Sequence, residues 1–311
     1  MNFKKYTNIT RIVIPDNVTL SNGDFSKAFN GMRKLVTSEF NHSDVVNMAG
    51  AYRNCSRLTC NTACGPNVTN MSDAYQNCYN LTGPPACGKN VTNVYGAYRN
   101  CRNLTGSPVC GDRVINMSYT YQNCYNLTGA PACGNSVVDM SHAYEYCRNL
   151  TGQPVCGNNV TSMSHTYNNC TNLTGFPACG ENVTNMANTY HNCYNLTGAP
   201  VCGPNVTNMF FTYLDCQNLT GAPACGLNVT NMYYTYQNCK NLTGNSYFYS
   251  MNVSNVKNCF YNRNTANILS IYAVANSTTM NTLLYNNVSS LVGATITWTD
   301  DTATNCYYYN T

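Results

Sequence analysis

A chain of 311 residues in which only 9% are charged, with a formal net charge of +4, draws its solubility from neutral polar side chains, chiefly Asn, Thr and Tyr. So weak a positive balance gives no strong case for nucleic acid or an anionic membrane, which call for clustered Lys and Arg, and neither is expected as a partner. No run of 18 apolar residues occurs, so no membrane insertion by a spanning helix is expected.

The N-terminal stretch MNFKKYTNITRIVIPDNV alternates polar and apolar residues and lacks the continuous apolar region of a secretory leader, so none is expected. Ile12 and Ile14 alternate as in a short half-buried strand; Pro15 stops it and Asp16-Asn17 favours a turn. Residues 1–24 are thus expected to form an N-terminal cap. From Phe25 a step of 23 residues governs the chain, running through Met71, Val94, Met117, Met140, Met163, Met186, Met209 and Met232. A fixed period of this size marks a solenoid, whose units bury their apolar side only against neighbours.

Within each unit the apolar positions fall at i, i+4, i+7 and i+10, as Met117, Tyr121, Cys124 and Leu127. That spacing predicts an amphipathic helix of about three turns, capped by the Thr or Ser ahead of it. It should end at Leu-Thr-Gly, where glycines such as Gly83, Gly106 and Gly129 release the backbone. The segment GxP(A/V)CG then has room for one very short strand, and stacked copies predict a narrow parallel sheet at about 4.8 Å spacing. Pro85, Pro108 and Pro131 lack an amide proton and weaken that ladder. The expected fold class is an α/β repeat solenoid, a right-handed stack of coils. Residues 25–245 form its regular part as one continuous array. Residues 246–311 form divergent repeats and a C-terminal cap, where Val256 and Met280 hold the Met position, Phe260 and Leu284 the Tyr position, and Leu269, Ile271, Ala294, Ile296 and Trp298 alternate like strands.

Twenty cysteines suggest disulfides at first sight, but nine share the Cys78 column and eight the Cys87 column. A cysteine repeated inside every coil is a small soft apolar residue stacking on its copies, so mostly free, buried thiols are expected; pairing of Cys78 with Cys87 is the alternative. No CxxC pair occurs, and His142 with His165 makes a polar ladder better than a metal site, so no metal and no cofactor is expected. The Asn columns, with Asn77, Asn100 and Asn123 before Cys and Asn80 and Asn103 before Leu, read as ladders tying neighbouring coils together. The N-x-S/T sequons they create read as by-products of those ladders.

With these residues in view, the chain resembles the BspA-like leucine-rich repeats over about residues 8–297. IVIPDNVT followed by FSKAFNGMRKL is similar to that family's strand and helix, and NVTNMSDAYQNCYNL to its V-T-x-M variant with C-x-x-L. Tyr stands where the family has Phe, and Gly-x-Pro-x-Cys where it has a Leu-, Ile- and Val-rich strand. The resemblance implies a surface-displayed protein that binds host or matrix molecules, and similar arrays occur in phage structural proteins.

No His shares a recognisable nucleophilic spacing with Cys or Ser and an acid, and no glycine-rich phosphate loop follows a strand, so catalysis is not expected. The expectation is a non-catalytic recognition or adhesion module on a cell surface or virion, including a bacteriophage tail or capsid, whose ligand is a protein or surface glycan. Its candidate binding residues are the aromatics that follow the Met position, Tyr95, Tyr119, Phe210, Phe211, Tyr233 and Tyr234. Exposed aromatics give contact area at low ordering cost. A second candidate is the alternating column Tyr79, Arg102, Tyr125 and Arg148, for which cation–π stacking between coils is the competing structural role. The alternative function is a purely structural spacer or decoration protein touching assembly neighbours, with a homo-oligomer as its limiting case.

Overall fold

A computed structural model describes residues 6, 8–15, 18, 22–40, 43–60, 64–223, 225–248 and 253–261, and the strand backbones of 269–274, 295–299 and 307–309. The chain resolves into two compact units, Met1–Gly152 and Gln153–Thr311. Each is a repeat solenoid of 23-residue coils.

In the N-terminal unit, β1 (Arg11–Ile14) pairs in parallel with β2 (Thr37–Phe40), Arg11 opposite Thr37 and Ile14 opposite Phe40. Ile12 and Ile14 are half-buried while Arg11 and Val13 face solvent, as the alternation requires. Inside the coils, Met71, Ala74, Tyr75, Cys78 and Leu81 are buried, and so are their copies one coil on, from Val94 to Leu104. Val68, Val91 and Val114 add a further buried column. Tyr52, Tyr75, Tyr98, Tyr121 and Tyr144 stack nearly parallel, with centroids 5.3, 5.3, 5.7 and 5.5 Å apart.

The apolar spacing is not that of a helix. No helix forms anywhere among the described residues. The amides of Met71, Asp73, Tyr75 and Asn77 donate to the carbonyls of Asn93, Tyr95, Ala97 and Arg99 in the next coil, at 2.7–2.9 Å. The intervening amides of Ala74, Gln76 and Cys78 turn back three residues to Met71, Asp73 and Tyr75. An α-helix spends every interior amide within its own segment; here half of them tie coil to coil. The cause is local. Every fourth residue is left-handed, Asp73 at φ 52° and Asn77 at 63°, then Gly96 and Asn100 at 57° and 64°. Asn, Asp and Gly tolerate that conformation best, and it interrupts a right-handed helix each time. The first turn is closed by Asn rather than by Thr or Ser: the Asn70 side-chain oxygen accepts the Ser72 amide at 3.0 Å.

The parallel ladder also lies elsewhere than expected. Isolated parallel bridges run Asp24, Asn47, Asn70, Asn93, Asn116, Asp139 through the N-terminal unit and Ser162, Asn185, Asn208, Asn231, Asn255 through the C-terminal one. Among the described residues the GxPxC segments form no strands. Thr105 N donates to Gly83 O at 3.2 Å, and the next rung is lost at proline. Tyrosine supplies the repair. Tyr98 Oη donates to Ala86 O at 2.8 Å and receives Ala86 N at 2.9 Å, and Tyr121 serves Val109 the same way. A phenylalanine there would leave both backbone groups without a partner.

The C-terminal unit repeats the coil. Tyr167, Tyr190, Tyr213, Tyr236 and Phe260 stack at 5.4–5.5 Å, and Tyr190 and Tyr213 bridge the backbones of Ala178 and Val201. Where Pro leaves the strand position, strands appear: β3 (Gly244–Phe248), β4 (Leu269–Val274) and β5 (Thr295–Thr299) pair in parallel, and β6 (Tyr307–Tyr309) closes the sheet antiparallel. Val256 and Phe260 are buried in the Met and Tyr positions. Met280, Leu284, Ala294 and Cys306 lie outside the described residues.

All described cysteines are free thiols. Cys78 Sγ donates to Tyr52 O and Cys101 Sγ to Tyr75 O, both at 3.1 Å, so each buried thiol serves the carbonyl of the preceding coil. Cys87 is engaged separately, with Gly88 O. Burial pushes Cys55 from the ordinary 9.0 to about 12, against the opposing backbone hydrogen bond. The Asn77 column forms the expected ladder: Asn77 Nδ2 donates to Asn54 Oδ1 and Asn100 Nδ2 to Asn77 Oδ1, both at 2.7 Å.

Candidate open face

One face of each coil departs from the repeat. It is made by the residue after the Met position, the left-handed residue beyond it, and the residue three further on: Ser72, Asp73 and Gln76 in one coil, Tyr95, Gly96 and Arg99 in the next. The turn geometry brings the three columns together. Arg99 Cζ lies 4.9 Å from the Tyr119 ring centroid, and the Tyr95 and Tyr119 centroids are 5.6 Å apart, edge to face.

In the N-terminal unit this face is polar. His142 stacks on Tyr119 at 4.5 Å, and its Nδ1 lies 2.7 Å from Glu145 Oε2. The same buried carboxylate oxygen accepts Gln122 Nε2 at 2.5 Å. Asp73 is raised from the ordinary carboxylate value by burial, against the pull of Arg53 and then Arg99, one coil to either side. Yet neither guanidinium comes within ion-pair distance of it; Arg53 Nε, Asp73 Oδ1, Gln76 Oε1, Arg99 Nε and Gln122 Oε1 are buried with no hydrogen-bond partner. Among the described residues, one other buried side-chain atom is in that state, Gln237 Oε1 on the same face of the C-terminal unit. Buried polar atoms are ordinarily paired, so their concentration on one face calls for an explanation.

In the C-terminal unit the face is aromatic. Phe210 and Phe211 have centroids 4.2 Å apart, Phe210 stacks on Tyr233 at 5.5 Å, and Tyr233 and Tyr234 meet at 4.2 Å. His191 lies 6.1 Å from Phe211; burial lowers its pKa against the pull of Asp215. The Tyr234 hydroxyl is lowered first by its hydrogen bond with Tyr233, then by Asn258, and the same bond raises Tyr233. All four aromatics are half-buried, packed along the face yet open on one side.

Of the expected binding residues, Tyr95 and Tyr119 thus cluster in the N-terminal unit and Phe210, Phe211, Tyr233 and Tyr234 in the C-terminal unit. Tyr79, Arg102, Tyr125 and Arg148 form a cation–π ladder, with Arg102 Cζ 5.1 and 5.8 Å from the rings of Tyr79 and Tyr125 and Arg148 5.6 Å from Tyr125. His142 and His165 each have local partners, and among the described residues no three His, Cys, Asp or Glu side chains are placed to hold a metal. Sequence reasoning missed Arg53, Asp73, Gln76 and Arg99. The available signal was the charge itself: in a chain with so few charged residues, Arg53, Arg99 and Glu145 recur in a single column.

Residues 3–106 match the family model described as "Mycoplasma protein of unknown function, DUF285". No curated protein matches the chain. Among solved structures the chain is similar to a leucine-rich repeat protein from Bacteroides ovatus ATCC 8483, at 12% identity over 95% of this chain and 85% of that one, with a TM-score of 0.44. It is also similar to a leucine rich cell surface protein from Faecalibacterium prausnitzii A2-165, at 14% identity over 89% and 90% of the two chains, with a TM-score of 0.35. Neither likeness is close enough to carry function across, and neither supports a phage virion role.

Proposed function

We propose that the chain is a non-catalytic recognition module, displayed at a surface, that engages a protein or glycan ligand through the open face of its coils. The observation that supports this most is the concentration on that face of the described buried side-chain atoms without hydrogen-bond partners. The inner columns repeat from coil to coil, whereas the face changes its chemistry at nearly every step. Nucleophilic chemistry finds little support: burial drives the thiols of both columns upward, Cys64 to about 11 and Cys55 to about 12, away from the thiolate a nucleophile requires. The aromatic cluster of the C-terminal unit supplies stiff contact area of the kind used at interfaces.

The test is binding of the isolated chain to glycan arrays and intact cells, with its association state followed by sedimentation. The expected result is saturable binding as a monomer, reduced about tenfold or more by Phe210→Ala with Tyr234→Ala. A chain that binds only copies of itself would instead be the structural spacer.

A further inference from the structure

The half-buried thiol column of the N-terminal unit holds a chemistry that the open face does not use. Cys64 and Cys110 lie on it two coils apart, and each meets a second sulfur. Cys64 Sγ is 3.5 Å from Met71 Sδ, and Cys110 Sγ is 3.3 Å from Met117 Sδ. Both methionines are buried, while both cysteines keep part of their surface. In the coil between them Val94 fills the Met position, so Cys87 has no thioether from its own coil.

Glycine makes room for these sulfurs. Gly88 and Gly134 are not left-handed, so their backbone conformation does not call for glycine. Contact does. A Cβ on Gly88 would lie 2.9 Å from Cys64 Sγ, and one on Gly134 would lie 2.7 Å from Gly111 O and 3.3 Å from Cys110 Sγ. Burial raises Cys64 to about 11 and Cys110 to about 12; the amides of Gly88 and Gly134 oppose it by bonding to sulfur, Gly134 N at 3.1 Å from Cys110 Sγ. The other groups that act on these thiols are Cys87 at Cys64, and Cys133, Cys87 and then Asp112 at Cys110.

A thiolate and a thioether are soft donors, suited to a soft ion. Zinc asks for four ligands, and among the described residues no three His, Cys, Asp or Glu side chains meet. Charge narrows the choice further. A monovalent ion on one thiolate is a neutral unit, whereas a divalent ion leaves a positive charge among apolar side chains at Cys64, where no carboxylate acts on the sulfur. Metal–thiolate bonds of about 2.3 Å place two sulfurs about 4.6 Å apart when the ion lies in line between them. The pairs must therefore open by about 1 Å, a movement that the rotatable bonds of Met allow.

We propose that Cys64 with Met71, and Cys110 with Met117, form two binding sites for copper(I), each ion held between a thiolate and a thioether. As an ion enters, the thiol S–H bond breaks, a copper–sulfur bond forms and the proton passes to water. The copper arrives and stays as copper(I), so no electron moves. The two sites stand two coil steps apart, about 10 Å, too far to share an ion. They lie off the open face and do not depend on the recognition reading.

The experiment is anaerobic titration of the full chain with copper(I) against a colorimetric copper(I) chelator, followed by X-ray absorption at the copper edge. The tightly held ions are expected to have two sulfur neighbours and to resist displacement by excess zinc. Met71→Leu with Met117→Leu keeps the core volume and is expected to weaken two of these ions about tenfold or more. Cys64→Ser with Cys110→Ser, at half-buried positions, is expected to release the same two. Cys87→Ser, in the same column but opposite Val94, is expected to release none. Circular dichroism checks that each variant and the loaded protein keep the native fold. Equal loss from the Cys87 variant, affinity indifferent to both double substitutions, displacement by zinc, or copper uptake only with loss of the native spectrum overturns the proposal. The first two outcomes would reduce the sulfur contacts to S–H hydrogen bonds and packing.

Discussion

The same face carries opposite chemistry in the two units. In the N-terminal unit Asp73, Tyr119 and His142 stand beside Arg53, Gln76 and Arg99; in the C-terminal unit Asn188, Phe211 and Tyr234 stand beside His191 and Leu214. Underneath, the coils are alike: the same Tyr stack, the same thiol-to-carbonyl bonds, the same alternation of amides between coils. The difference teaches that this coil separates what holds it together from what it presents. Alternate amides and the inward columns fix the backbone, and the face is left free to vary. The one restriction is the left-handed position, which Asn and Gly occupy at little cost and which Tyr119, His142, Phe211 and Tyr234 occupy at about 1–2 kcal/mol each. Ring stacking along the column, about 0.5–1.5 kcal/mol per pair, offsets part of that.

If the units differ only on the face, equal damage to the core should cost the same in both. Tyr121→Ala and Tyr213→Ala remove matching members of the stack, and each is expected to destabilise its unit by about 3–5 kcal/mol in chemical denaturation. The milder Tyr→Phe changes at these positions strip the hydroxyl from Val109 and Val201 and are expected to cost about 1–2 kcal/mol. A marked inequality between the units would break the comparison. The thiol columns make a related prediction across both. Burial raises the thiols above their ordinary 9.0, Cys110 to about 12 and Cys202 to about 11, so the folded state holds its protons longer than the unfolded chain. The stability they contribute is complete below pH 9 and is lost as pH rises toward about 12, so the thermal midpoint should fall steadily above pH 9 in a scan against pH.

These same residues decide how much of the molecule is legible in its sequence. The period, the inward columns of Met, Tyr, Cys and Leu, the strand at Ile12 and Ile14, and the Asn77 ladder are legible because burial and stacking depend on spacing alone. The helix is not, because i, i+4, i+7 spacing satisfies any backbone that turns inward about every fourth residue. Asn77, Asn100 and Gly96 are the contrary signal, for such residues favour left-handed turns over helix interiors. The substitution of Tyr for Phe, visible in the sequence, gains its meaning only from the hydroxyl's place on Ala86. The buried polar cluster around Asp73 is hidden because it joins residues from three successive coils. The aromatics are visible singly, and their division between the units is not.

The cation–π ladder should matter less than the core and only in the N-terminal unit. Arg102 lies over two rings, so Arg102→Met is expected to cost about 0.5–1 kcal/mol, measured as a shift in denaturant midpoint at unchanged slope.

The smallest expected effect is the one that most sharpens the contrast between the faces. Asp73 is raised by burial despite two nearby arginines, so its folded form keeps a proton that the unfolded chain releases at the ordinary 3.8. A raised carboxylate contributes stability only below that value and loses it as pH climbs through the folded value; at neutral pH the charge is a cost. Asp73→Asn keeps a residue that tolerates the left-handed backbone and removes the charge. It is therefore expected to stabilise the N-terminal unit at pH 7 by about 1–3 °C in thermal midpoint, an advantage that shrinks as pH falls through the raised folded value and is gone below the ordinary 3.8. The C-terminal unit, where Asn188 already fills the position, offers no such gain. If the substitution destabilises the protein at pH 7, the arginines outweigh burial, and the polar face is an ion-pair network closed on itself rather than a site held open for a ligand.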